Sequence, residues 1–290
     1  MQTVTDILRR KGEDLLDGIA ILLGTDRLLR DVNAPTNGFL IIGPHYEFEE
    51  LSEEKKHLQS WLRQQHDHYM ALVRAILRIH SKSTQRSIDQ WDETLREIID
   101  QDKLVWYKTT GEAKAAAKQT IDEILDEVAA LHDPVEGSVI LVPDTNALIY
   151  SPAFQSWQFD GIDKFEILLV PTVLSELDSL KIEHRNSDVR QKAQEVIRQI
   201  KEYRRRGYLH DGVAVIANRI RLRAIAVEPQ VEQVLPWLDS NSPDDRILAS
   251  IIEVMRAHPR SVVLLVSGDI NLQNKAEFAC VPFVEPPIVR

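Results

Sequence analysis

Two short runs, Ser138-Val139-Ile140-Leu141-Val142-Pro143-Asp144 and Val262-Val263-Leu264-Leu265-Val266-Ser267-Gly268-Asp269, set the strongest limit on how this chain folds. Each is uncharged up to a terminal aspartate, rich in β-branched residues, and closed by Pro or Gly. That pattern reads as a strand buried on both faces. Such a strand belongs in a sheet covered by helices on both sides. Further apolar runs occur at Phe165–Val170, at Ala214–Ile216 with Ala224–Val227, and at Val281–Val284. Helical patterns separate them at about Thr172–Glu183, Ser187–Arg206, Pro243–Ala257 and Asn271–Phe278. The alternation predicts an α/β fold with a central, mostly parallel sheet. In open sheets of this kind ligands bind at the carboxyl ends of the strands, where Asp144 and Asp269 stand.

The first half of the chain has a different period. Apolar residues recur at three- and four-residue steps through 2–30, Leu51–His80, the stretch around Ile88–Ile99, and about Gly111–Leu131, which predicts a mainly helical domain. Phe39-Leu40-Ile41-Ile42 fits a short strand or a buried connector. Pro and Gly in His132-Asp133-Pro134-Val135-Glu136-Gly137 mark the boundary, dividing the chain into 1–136 and 137–290. The net charge of −10 is unevenly shared. Residues 1–136 hold 17 Lys+Arg against 25 Asp+Glu, while 137–290 hold 18 against 20. An acidic first half suits assembly, through a homo-oligomer or a protein partner, or recruitment better than contact with phosphates.

The single cysteine, Cys280, excludes an intramolecular disulfide and a multi-cysteine zinc site, and fits a reducing cytoplasm. Its apolar neighbours predict a buried thiol. No segment is long enough to span a membrane, and the charged residues around Ile19–Leu23 do not suit a signal peptide. His66 and His68 lie two apart on a helix and point in different directions, so they form no chelating pair.

The second half supplies acids at four comparable places. Asp144 and Asp269 end buried strands, Glu176 and Asp178 lie early in the helix after Phe165–Val170, and Asp244 and Asp245 open the helix at Pro243. Each has an ordinary use: Asp144 and Asp269 as helix caps, Asp244 and Asp245 as complements to a helix N-terminus, Glu176 facing solvent. Four carboxylates converging on one sheet edge stay ionised only with cations between them, and oxygen ligands favour Mg²⁺ or Mn²⁺. Such a site suits in-line attack of water on a phosphodiester.

Pro143-Asp144-Thr145-Asn146, Ser175-Glu176-Leu177-Asp178, Asp244-Asp245-Arg246-Ile247-Leu248-Ala249 and Ser267-Gly268-Asp269-Ile270-Asn271 resemble, in order, the four motifs of the PIN domain. The resemblance covers about residues 138–286 and implies a Rossmann-like fold with metal-dependent ribonuclease activity, as in toxin endoribonucleases and RNA-decay nucleases. It implies Asp144, Glu176, Asp245 and Asp269 as catalytic metal ligands, with Asp245 preferred to Asp244 on motif spacing. Asn146, Asp178, Asp244 and Asn271 are then supporting residues. Arg198, Lys201, Arg204 and Arg205 on the helix from Ser187 read as an RNA-backbone contact, or equally as a solvated face with Glu195 and Glu202. The alternative function is a catalytically weak PIN-like module that holds RNA or protein. A phosphatase of the haloacid dehalogenase type needs a second aspartate where Asn146 stands.

Overall fold

A computed structural model describes residues 2–32, 43–79, 81–133 and 137–287. Phe39–Ile42, His80 and Pro134–Glu136 lie outside the described residues. The chain forms two compact units, Thr5–Leu131 and His132–Arg290 with Met1–Val4.

The first unit is built from helices α1 (Val4–Leu23), α2 (Glu53–Ile76), α3 (Lys82–Asp100) and α4 (Thr110–Ala129), with a short antiparallel pair, β1 (Arg30–Asp31) and β2 (Tyr46–Glu47). Helix α1 is shorter than its periodicity suggests because the chain turns at Gly24, whose φ of 71° disfavours any other residue. Ser52, Ser81 and Thr109 cap α2, α3 and α4 with side-chain oxygens, the use expected of these residues. The core is the predicted apolar stripe: Leu8, Leu15 and Ile19 of α1, Leu62, Tyr69 and Val73 of α2, Ile88 and Leu95 of α3, Ile121 and Ile124 of α4. His66 is buried with its Nε2 3.1 Å from Asp92 Oδ1, and Asp92 also receives Arg74. That histidine belongs to a structural charge cluster between helices.

The second unit carries the sheet. Its elements are β3 (Val139–Pro143), α5 (Thr145–Tyr150), β4 (Phe165–Leu169), α6 (Pro171–Glu183), α7 (Ser187–Arg204), β5 (Val213–Ile216), β6 (Ile220–Ala224), α8 (Pro243–Ala257), β7 (Val262–Val266), α9 (Ile270–Phe278) and β8 (Phe283–Val284). The sheet has six strands in the order β5-β6-β4-β3-β7-β8. All neighbours are parallel except the hairpin β5-β6, so the fold is the α/β arrangement expected. Ile140–Val142, Ile167–Leu169 and Val263–Val266 are buried, as central parallel strands require. Cys280 is half-exposed rather than buried, since the chain turns there in a left-handed conformation with φ 60°.

Strand order fixes where a site can form. From β3 the chain moves to one side, where it builds β4, β5 and β6, and then crosses to β7 on the other side. Strands β3 and β7 are neighbours in register from Val139↔Val262 to Pro143↔Val266. Their following loops diverge to opposite sides, which opens a crevice at the carboxyl edge.

Candidate active site at the carboxyl edge of the sheet

Asp144 and Asp269 stand in the short connections from β3 to α5 and from β7 to α9, each immediately before its helix. The ladder runs one step past the strands, with Asp144 N donating to Val266 O at 3.0 Å, so the two loops leave the sheet side by side. Both aspartates cap the helices that follow. Asp144 Oδ1 accepts from Ala147 N at 2.6 Å, and Asp269 Oδ1 accepts from Asn271 N at 2.8 Å. Ser267 joins them: its hydroxyl donates to Asp144 Oδ2 and accepts from Asp269 N at 3.0 Å. Capping is therefore present at both, and it fixes where each carboxylate sits.

A cavity of about 440 Å³ opens at this crevice. Asp144, Glu176, Asp244 and Asp269 line it, one acid from each of the four predicted places, together with Asn146. Glu176 comes from α6 and accepts a hydrogen bond from Thr145, the residue after Asp144. Burial pushes the Asp144 carboxyl above its ordinary range. The charges of Asp269 and Asp244 push the same way, while Ser267 and the Ala147 amide oppose them. A buried acid repelled by two others marks a place where a cation is favoured.

Three expected residues stand elsewhere. Asp245, preferred on motif spacing, does not line the cavity, and Asp244 does. The side chain of Asp244 is 41% exposed and that of Asp245 7%. Successive helical residues are rotated by about 100°, and at the start of α8 the second acid turns inward. There Asp245 accepts from Lys275 Nζ at 2.6 Å and from Asp239 N at 2.9 Å. Although burial pushes its carboxyl up, Lys275 and the amide outweigh that and hold it below the ordinary value. Asp178 is exposed and paired with Lys181. Asn271 is exposed and meets the site only through its backbone amide at Asp269.

Glu183, Ser179 and His184 also line the cavity and escaped the motif reading. For Ser179 and Glu183 the signal was helical spacing, whereas His184 lies just past the end of α6. Counting from Glu176, positions three and seven further on share its face of α6, whereas Asp178 does not. Of the basic residues on α7 and at its C-cap, Arg198, Lys201 and Arg205 line a groove with Lys181 of α6, and Glu202 lines it too. Arg204 is exposed outside that lining.

The donor set suits a hard cation, because Asp144, Glu176, Asp244 and Asp269 offer only oxygen. The fit is one of donor chemistry and convergence. Among the described residues, no three His, Cys, Asp or Glu side chains are grouped closely enough to form a finished cage. Likewise, no helix among them is long and apolar enough to cross a membrane.

No curated protein matches the chain. A family model for the PIN domain matches residues 141–285, from the middle of β3 to just past β8, a span that contains every acid of the cavity. Proteins of this family are generally nucleases. With its acids at the edge of a mostly parallel sheet and this match over half its length, the chain belongs to the PIN domain family.

Proposed function

We propose that the protein is a metal-dependent ribonuclease that hydrolyses RNA phosphodiester bonds in the cavity at the carboxyl edge of the sheet. The observation that carries this reading is that four separate parts of the chain each deliver at least one carboxylate to that cavity. Asp144, Glu176, Asp244 and Asp269 are the residues that would hold Mg²⁺ or Mn²⁺. A bound divalent ion supplies Lewis-acid polarisation of the phosphodiester and of the attacking water.

The chain's own groups do the positioning. Ser267 keeps Asp144 and Asp269 in fixed relation, and Thr145 aims Glu176. Lys275 and Arg246 lock the start of α8. Lys275 holds Asp245 at 2.6 Å and lies 3.8 Å from Asp244, and Arg246 clasps Glu228 at 2.7–3.0 Å, while Asp244 lines the cavity. Helix α6 has the acid cavity along one face and the groove of Arg198, Lys201 and Arg205 along another. An RNA strand leaving the cavity meets that groove, whose cations can neutralise its phosphates.

A second reading, a weakly catalytic module that holds RNA without cutting it, draws support from the hydrogen bonds that already occupy both oxygens of Asp144. Incubation of mixed RNAs with the protein and Mg²⁺, Mn²⁺ or EDTA separates the two. The nuclease reading expects cleavage that needs the metal and is lost in Asp144→Asn and Asp269→Asn. Binding without cleavage under every metal condition favours the second.

A further inference from the structure

The opposite end of the sheet carries the opposite charge. In β6, Ile220 and Leu222 are buried in the core, so Arg219, Arg221 and Arg223 leave the sheet on its other side. They border a cavity of about 860 Å³ at the amino-terminal ends of β3 and β4, with Val139, Ile140 and Ile216 contributing apolar wall. The acid cavity lies at the carboxyl ends, roughly 13 Å away along a five-residue strand at about 3.3 Å per residue.

The charges in this second cavity do not cancel. Arg223 is matched by Glu166 at 2.5 Å, and His210 faces Asp211 at 2.9 Å. Arg223 also lies 3.4 Å from His258. Among the described residues, Arg221 donates to the uncharged carbonyl of Asp211 and has no carboxylate at ion-pair distance. Its guanidinium lies across Gly212, where φ is 84° and a side chain would collide with it. Lys164 and Arg219 are exposed and, among the described residues, have no carboxylate at ion-pair distance. Three cations thus rim one cavity of a chain whose net charge is −10. A guanidinium lying along the backbone and flanked by two exposed cations suits a phosphate, because the fork takes two of its oxygens at once. An apolar wall in a cavity of this size suits a ring.

We infer that this cavity is a second binding site, for a phosphate monoester carrying a ring of nucleotide size, with the phosphate on Lys164, Arg219 and Arg221. The site stands apart from the acids and does not rest on the nuclease reading. Two sources share this chemistry, a free nucleotide and the 5′-phosphorylated end of a strand.

Calorimetric titration of the full chain in EDTA tests the site, using AMP, GMP, CMP, UMP and inorganic phosphate, and a short RNA with either a 5′-phosphate or a 5′-hydroxyl. At least one nucleotide is expected to bind more tightly than inorganic phosphate. The double variant Lys164→Ala/Arg219→Ala is expected to lose about tenfold or more in affinity with an unchanged melting temperature, while Asp144→Asn binds as the parent does. If the 5′-phosphorylated RNA alone binds, and the double variant weakens it, the phosphate comes from a strand end. The inference is overturned if no probe binds at millimolar concentration, if binding survives the double variant, or if Asp144→Asn abolishes it. Metal-dependent cleavage is read separately, so either proposal can fail without the other.

Discussion

Ser267 shows how a single hydroxyl can set a site, since it bridges one strand-end aspartate to the backbone of the other. The acids around it divide into two electrostatic kinds, and the division is testable. Asp144 is raised by burial and by its acidic neighbours. Its contribution therefore destabilises the fold as pH rises above the ordinary aspartate value of 3.8 and through the raised value. Asp144→Asn is expected to abolish metal-dependent cleavage, yet melt at the same or a higher temperature near neutral pH without metal, with any gain fading toward pH 3.8. Asp245 is the reverse case, held below the ordinary value chiefly by Lys275 once its burial is overcome. Its stabilisation is present above 3.8 and lost as pH falls through the depressed value. Lys275→Ala, which leaves a buried carboxylate without its cation, should cost about 1–3 kcal/mol at neutral pH and much less in acid. Equal melting curves for Lys275→Ala and the parent at neutral pH would remove the lock assigned to it. The sequence showed that α8 opens with two acids, and motif spacing ranked Asp245 first, whereas Asp244 is the one that lines the cavity. The choice depends on Lys275, thirty positions away in the chain, and on the amide of Asp239. Glu183 was readable from helical spacing alone, because it repeats the face of Glu176 two turns on.

At the level of elements, legibility followed burial on both faces. Strands β3 and β7, uncharged along their length, were placed within a residue, and α8 was placed at Pro243–Ala257. Strand β6 was expected at Ala224–Val227 and stands at Ile220–Ala224. Its Ile-Arg-Leu-Arg alternation buries one face only, so no continuous apolar run announces it, while Val227 is 79% exposed. Helix α1 was legible in its period and not in its tightest packing. A Cβ on Gly18 would stand 2.6 Å from Leu62 Cδ2, and one on Gly12 2.7 Å from Ile121 Cγ2. Gly18→Ala gains helix propensity of about 1 kcal/mol against an overpacking cost of about 1–3 kcal/mol. A net loss is expected in chemical denaturation, and a stabilised variant would show that α1 and α2 have slack. For α7, replacing Arg198, Lys201 and Arg205 with Ala should weaken RNA binding and reduce the log–log salt slope by about one for each phosphate left without a cation. Turnover at saturating RNA should hold. An unchanged slope would return these side chains to an ordinary solvated face.

Taken as a whole, the chain joins a unit with every acid of the cavity to a helical unit that supplies none. The charge is divided the same way, with a balance of −8 in residues 1–136 and −2 in the remainder. A strongly acidic surface repels phosphates over a Debye length of about 8 Å at physiological salt, which makes the helical unit a poor RNA platform. Its helices carry a buried apolar stripe, with Leu8, Leu62, Ile88 and Ile121 at 0–1% exposure. What it leaves outside is a scatter of large apolar side chains, Ile21, Leu28, Trp61, Ile79 and Trp106 among them. Aromatic and aliphatic anchors of this sort serve protein contacts, where a few buried side chains carry most of the energy. We therefore expect assembly or recruitment to reside in residues 1–131 and catalysis in residues 132–290. A chain of residues 132–290 should remain soluble, melt cooperatively and retain metal-dependent cleavage of RNA, while its mass by light scattering or its choice of RNA changes relative to the full protein. If that shorter chain folds and binds Mn²⁺ but cuts no RNA that the full protein cuts, the helical unit contributes to the active site and the division of labour is wrong.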